Sequence, residues 1–508
     1  MEKKKVVIVG GGISGLTAGI YSLKAGFETE IYEKNRIVGG ECTGWDREGY
    51  HIDNCIHWLI GTKEGSSLNN IWKDVGALED DVEIIQSDKM YTSELDGEKI
   101  TLWKDLERTE KELIALSPED EIEIKKLIKY VRMSENIGIP ADKPPEMMGT
   151  LDYIKLGSSM KNAIRLFKEL EGKDTNDLMN CFKHPLIKCM ISDFCTKESL
   201  ANSFPLAYGN FVSGDGGIPR GGSRAMALRM QRKFESLGGK VFTNADVTKI
   251  EIDDNRKASG IGLANGEHIG ADYIICACDT AYTFGHLLDK SYMDPILREM
   301  YANRKAYPVY GMFQVAFAVD SHIDAIGGDV MLDCSDIKAA DWMNNRMTIK
   351  SYAYEPSFAP EGKQIVQVLI GLQEDAYDYW MELYKNKDEY KSKKEELTNK
   401  VLKKIEERFT EYKGKMKILD TWTPVTYHCY CNAYKGYNQS FMITKHSAKN
   451  PYPSAYIKGL DNVVLAGQWI NPPGGLPGAA IQGKYSIQRI LKKEKRSIKI
   501  KTGDFTQF

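Results

Sequence analysis

The first chemistry in this chain is carried by three glycines and an acid, Gly10-x-Gly12-x-x-Gly15 with Glu33 further along. The run KVVIVG at 5–10 reads as a short strand, apolar throughout as in a parallel sheet covered on both faces. Residues 13–25 read as a helix with Leu16, Ile20 and Leu23 on one stripe, and FETEIYE at 27–33 reads as the second strand of a βαβ unit. In that setting Gly10 allows a tight turn, Gly12 lets the backbone approach a pyrophosphate, and Gly15 lets helix pack on strand. Ser14 lies inside the motif, and the helix start offers unpaired N–H groups and partial positive charge to a phosphate. Glu33 closes the second strand, where a carboxylate accepts hydrogen bonds from ribose hydroxyls and repels a 2′-phosphate. A lone motif of this kind is weak; here strand, helix, Ala18 and acid stand in register.

The choice between NAD and FAD turns on the residues just past the acid. Arg36-x-x-Gly39-Gly40 places a second glycine pair there. The doublet resembles that of FAD enzymes of the glutathione-reductase-like class, although an ordinary hairpin would also use two glycines. Near the other end, Asn462–Gln468 (NVVLAGQ) resembles the strand that closes the FAD fold in that class, and there the glycine matching Gly467 contacts the ribityl or phosphate end. Gly260-Ile-Gly262 has no glycine three residues on, so no second domain for NAD(P) is expected.

The elements that must hold this site suggest an interleaved chain. Its 508 residues allow two or three domains, and 42% hydrophobic with 27% charged residues is the balance of an ordinary globular protein. A net charge of −3 gives no reason to expect nucleic acid as a partner. The pattern turns helical from about 105 to 200, where Ser117-Pro118-Glu119-Asp120 reads as a capped helix start. Strands return at 240–278, with a hairpin signal at Asn265-Gly266, and again at 309–319 and 363–372. Leu397, Val401, Ile405 and Phe409 line one side of a long charged helix, and a last helix covers about 478–493. The expected fold is α/β: an FAD-binding Rossmann domain from 1–75, 205–285 and 455–508, with an α+β substrate domain inserted as 76–204 and 286–454.

Ten cysteines show no spacing for a structural zinc, so no metal is expected. Cys276-x-Cys278 and Cys429-x-Cys431 could be redox pairs or small buried residues, since i and i+2 share one face of a strand. The start, MEKKK before VVIVG, lacks a cleavage site, and no apolar run approaches 20 residues, so a cytoplasmic protein is expected. The basic tail Lys492–Lys501 could touch an anionic membrane or be a solvated end.

Four segments together resemble the phytoene desaturase, carotenoid isomerase and retinol saturase group of flavoproteins. These are 6–61, ending Asp53-x-Cys55-x-His57; 217–280, with Pro219-Arg220-Gly221-Gly222 and Asn244-x-x-Val247; Thr423-Pro424-x-Thr426-Tyr427; and Gly467-x-Trp469 with Pro473-Gly474-Gly475-Leu476-Pro477-Gly478. They cover about half the chain, and Cys55 departs from the glycine usual there. The resemblance implies noncovalent FAD, with Val247 on the adenine side and the loop of Gly475 and Pro477 closing on the flavin. It also implies an apolar substrate and desaturation, saturation or isomerisation of C=C bonds.

In that frame His57 could move a proton or serve as scaffold, Cys55 could add to an alkene or simply fill space, and Tyr427 and His428 could line a tunnel or pack. An amine-oxidase-like flavoenzyme and a flavin-binding protein without turnover are the competing readings. The substrate, the redox partner and the direction of electron flow are left open.

Overall fold

The computed structural model describes residues 3–447 and 452–500, so Lys501 of the basic tail lies outside the described residues. Strand β1 (Lys5–Val9) is the centre of a six-stranded sheet, and Val6, Val7 and Ile8 are wholly buried. Helix α1 (Ile13–Lys24) leads to β2 (Glu28–Tyr32), which pairs parallel to β1 with Val6 opposite Thr29. On the other side of β1 the sheet continues through Tyr273–Cys276 and Leu460–Leu465, both parallel; Lys240–Phe242 flanks β2. Because the chain leaves β1 to opposite sides, a crevice opens at the carboxyl ends of these strands, the usual ligand position in such sheets. The closing helix, Gly475–Lys493, lies on α1 so tightly that a Cβ at Gly483 would stand 2.5 Å from the Ser14 carbonyl oxygen.

A seven-stranded sheet forms the second layer. Its order is Met416–Trp422, Gly311–Val319, Gln364–Leu372, Met343–Ser351, Asp329–Asp333, Lys89–Leu95 and Glu98–Trp103. All neighbours run antiparallel except Asp329–Asp333 beside Lys89–Leu95. The strands at 311–319 and 364–372 match the sequence expectation to within two residues, whereas Met343–Ser351 was not foreseen. Lys387–Arg408 buries Leu397, Val401 and Ile405 against this sheet.

The helical stretch comprises Leu106–Leu116, Glu121–Ser134, Thr150–Ser159, Lys161–Glu169, Thr175–Met179 and Pro185–Phe194. A helical turn does begin after Ser117, but the serine hydroxyl donates to Asp120 instead of capping. The Asp120 carboxylate in turn accepts from the Lys183 and His184 amides, which ties two helices together. The stretch is joined to the seven-stranded sheet by a buried ion pair. Arg346 Nε and Nη2 donate to the two oxygens of Asp193 at 2.6 and 2.9 Å, and Nη2 also donates to Ser93 Oγ at 3.0 Å.

The hairpin of β3 (Gly44–Arg47) and β4 (Tyr50–Asp53) carries the chain between the two layers. It is pinned by Asp53, whose carboxylate accepts from the Ser223 amide at 2.7 Å and the Ser223 hydroxyl at 2.9 Å. Ser223 sits in the first turn of helix Gly222–Ser236.

Candidate active site

A single cavity of about 2080 Å³ runs from the glycine motif to the seven-stranded sheet and the helical stretch. That is about twice the upper end for a pocket holding one drug-sized ligand, so there is room for a dinucleotide and a second molecule. At one end its wall carries Gly10, Gly12, Ser14, Glu33, Gly39, Gly40, Val247, Gly467, Gly475 and Pro477. Gly15 stands behind the wall: a Cβ there would lie 2.0 Å from the Gly10 carbonyl oxygen, which is the close helix–strand packing expected of it. Arg36 is exposed and off the wall. The second glycine pair does pass beside the first motif, since Gly39 N–H donates to the Gly11 carbonyl at 2.9 Å and Gly12 bridges to Gly39.

Glu33 is buried, with Oε2 accepting from the Gly11 amide at 2.8 Å and Oε1 from both nitrogens of Asn35. Burial raises its affinity for a proton, and these three donors oppose that. Oε2 keeps a lone pair for a further donor. The Ser14 hydroxyl is buried and has no partner, and α1 begins with neither a side-chain cap nor an acid in its first turn. The start of α1 therefore has unmet donors that suit a pyrophosphate. The Val247 carbonyl already accepts from the Tyr282 hydroxyl at 3.0 Å.

Farther along, His57, Tyr427, Lys350 and Asp329 come to the same wall. His57 is half-buried on that wall, and desolvation with the nearby Lys350 charge pushes its imidazole down to about 3. It is neutral near pH 7, an imidazole with a lone pair open to a hydrogen-bond donor. Tyr427 is tied into scaffold: its hydroxyl donates to Asn54 Oδ1 at 3.0 Å and accepts from Gln314 and from Trp422 Nε1. Burial pushes its phenol well above the usual range, and its one proton is already committed. Sequence reasoning missed Lys350, which is only 1% exposed and pairs in register with Asp329. It also missed Glu41, pushed up to about 8 by burial and the neighbouring Asp279. The two CxC pairs do not act as pairs. Cys276 is sealed in the core, and Cys429-x-Cys431 lies on helix Pro424–Cys431, where i and i+2 diverge and one thiol is exposed while the other faces the cavity.

Beyond Trp58, which meets Phe194 edge-on at 5.7 Å, the wall turns apolar with Met90, Ile137, Ile139, Met179, Leu206 and Met331. A Rossmann sheet opening onto a second, mixed sheet through one shared cavity is the layout of a dinucleotide-binding protein with room for a second molecule. The family described as flavin containing amine oxidoreductase matches residues 13–491, and this chain belongs to it. FAD is its cofactor. Among curated relatives, the chain is similar to a 4,4'-diaponeurosporene oxygenase of Staphylococcus haemolyticus, with 24% identity over 96% of this chain and 97% of that one. It is also similar to an all-trans-retinol 13,14-reductase of Danio rerio, with 22% identity over 98% of this chain and 88% of that one. Among solved structures, an oxidoreductase from Methanosarcina mazei shares the fold, with TM-score 0.61 and 18% identity over 95% of this chain and 100% of that one.

The residues present fit FAD: the glycine cradle, the orphaned Ser14 hydroxyl and the Glu33 carboxylate offer the contacts that a pyrophosphate and a ribose require. Bound there, FAD supplies two-electron chemistry, and the protein supplies binding, orientation and exclusion of water.

Proposed function

We propose that this enzyme uses FAD to desaturate, saturate or isomerise C=C bonds of an apolar polyene or isoprenoid-like lipid. The observation that carries this reading is the continuity of the cavity from the glycine cradle into the apolar wall around Met90, Ile137, Met179 and Met331. Such a chamber removes a hydrocarbon chain from water, worth about 25 cal/mol per Å² buried. The oxygenase and reductase relatives are named for polyene substrates, which supports the same class.

Gly10, Gly12, Ser14, Glu33, Gly39, Gly40, Val247, Gly467, Gly475 and Pro477 are the proposed cofactor-contact residues, with Gly15 packed behind them and Arg36 outside the wall; His57 and Tyr427 are the proposed reaction-site residues. Given the hydrogen bonds of Tyr427, its part is to hold Asn54 and Gln314 in place. We also propose the domain division read from the sequence, with the helical stretch as part of the substrate domain.

Membrane contact belongs to this reading. Leu151, Tyr153, Ile154 and Ile164 are exposed on helices Thr150–Ser159 and Lys161–Glu169, and the neighbouring Met160 and Phe167 reach the cavity wall. Apolar side chains beside a cavity mouth suit uptake from a bilayer surface. No helix among the described residues is long and apolar enough to cross a membrane. The basic tail is a weaker candidate, since Lys493 pairs with Asp461 and Arg496 stacks on Phe27.

The deciding experiment is anaerobic. The FAD-loaded protein, reduced, is mixed with polyene, retinoid, steroid and unsaturated fatty-acid panels while the visible flavin bands are followed. Reoxidation by one lipid class, or isomer formation without reoxidation, supports the proposal. Bleaching of the oxidised enzyme by amines alone overturns it.

A further inference from the structure

Two thiols meet that no sequence motif links. In the β3–β4 hairpin Gly44 stands opposite Asp53, and one step on the Asn54 amide donates to the Thr43 carbonyl at 3.1 Å. Beyond that bond the ladder ends, because the Thr43 and Cys42 amides turn back to the Glu41 and Gly39 carbonyls, and Cys42 and Cys55 flank its end at one face of the hairpin. The side chains do converge on that face: Asp46 and His51, farther down the same row, bond at 2.8 Å, and the Cys55 thiol lies against the Cys42 thiol. Cys42 Sγ also donates to the Ser223 carbonyl at 3.5 Å, which holds it on the inner side of the hairpin.

Both cysteines lie on the cavity wall, and Cys42 comes just after the Gly39–Gly40 turn that runs beside the dinucleotide motif. Neither cysteine is bridged in the structure.

We propose that Cys42 and Cys55 are a redox-active dithiol/disulfide pair that exchanges two electrons with the bound FAD. In the forward direction two S–H bonds break and one S–S bond forms between Cys42 Sγ and Cys55 Sγ. The two electrons and two protons released reduce oxidised FAD to its two-electron-reduced form. A dithiol reagent returns the pair to the reduced state by exchange, leaving its own sulfurs as a disulfide. Electrons from thiols thereby reach an enzyme whose sequence contains no second nucleotide motif. The inference rests on FAD binding and is independent of which lipid is turned over.

The test uses the FAD-loaded wild-type enzyme, oxidised in air, freed of excess oxidant and titrated anaerobically with dithionite. The expected uptake is about four electrons per FAD, two for each of two couples. Separately, the air-oxidised protein is denatured, alkylated and digested without reductant; a peptide joining Cys42 to Cys55 is expected, and it should vanish after treatment with dithiothreitol. The variants C42S and C55S should each take up about half as many electrons as wild type. Both readouts on wild type stand even if the variants fold poorly. Alkylation of both cysteines in the oxidised protein overturns the pair. A linked peptide with uptake of only about two electrons per FAD overturns the exchange with flavin.

Discussion

The Nζ of Lys350 donates to the main-chain carbonyl of His57 across 3.1 Å, joining the middle of the seven-stranded sheet to the segment just past the β3–β4 hairpin. A buried ammonium is thereby set near a half-buried imidazole, and desolvation together with the Lys350 charge holds that imidazole neutral. The protein has eight histidines, so ¹⁵N-labelled histidine spectra can follow them. His57 should stay neutral down to about pH 4, and Lys350→Met should raise its titration point while leaving it below 6.5, since desolvation is the larger cause. Because the folded value, about 3, lies below the ordinary 6.5, His57 favours the fold above pH 6.5 and loses that contribution as pH falls toward 3. An imidazole that titrates near 6.5 in the wild type would contradict this account.

Gly12 and Gly15 should fail differently. A Cβ at Gly12 meets nothing closer than the Gly39 carbonyl oxygen at 3.8 Å, so Gly12→Ala should fold normally yet block a pyrophosphate. FAD affinity should drop about tenfold or more, a loss of at least ~1.4 kcal/mol, measured by fluorescence titration. At Gly15 the Cβ would overlap the Gly10 carbonyl. Gly15→Ala should therefore lower stability by about 1–3 kcal/mol in urea unfolding, as overpacking does.

Glu41 sets a pH dependence of opposite sign to that of His57. Its folded value, about 8, exceeds the ordinary 4.5 because it is buried near Asp279, so the fold binds its proton more tightly than the unfolded chain does. Stability of the FAD-free protein should fall as pH rises from about 5 through 8. Glu41→Gln should flatten that fall, read from melting temperatures at pH 6 and 9. An unchanged slope in the variant would remove Glu41 as its cause.

The Arg346–Asp193 pair is a stability element at the edge of the cavity. The Asp193 side chain is fully buried, so Arg346→Met leaves an uncompensated charge and should cost about 3–5 kcal/mol in urea unfolding. Adding Asp193→Leu to that variant should recover much of the loss. Failure of the double variant to recover would mean that the contacts of Arg346 to the Glu94 and Met331 carbonyls matter more.

The exposed apolar face makes a prediction about lipid. Replacing Leu151 and Ile154 by serine should weaken vesicle co-sedimentation about tenfold or more, since each such side chain is worth roughly 1.5–3 kcal/mol when buried. The melting temperature should hardly move. Equal binding by both proteins would take the membrane contact away from these helices.

The nucleotide half was legible in the sequence because its physics is local. An apolar strand, glycines at 10, 12 and 15, and an acid closing the next strand depend on neighbours within about 30 residues, and the structure builds them as a parallel pair around β1. The far sheet was half legible: strands 311–319 and 364–372 are nearly continuous apolar runs of strand length, whereas Met343–Ser351 carries Asn, Arg and Lys among its apolar residues and hides its pattern. At the substrate end only His57 and Tyr427 were legible, through the motifs they close. Lys350, Asp329 and Glu41 carry no motif, and only sheet register and a shared cavity bring them to the same wall as His57. The same holds for Cys42 and Cys55, thirteen positions apart with no motif spacing, made neighbours by a two-residue hairpin turn. Local backbone demands are written in residue type and spacing, but burial, a neutral histidine and a fully bonded tyrosine arise from what other segments place around a residue. Those are decided only when the chain has folded.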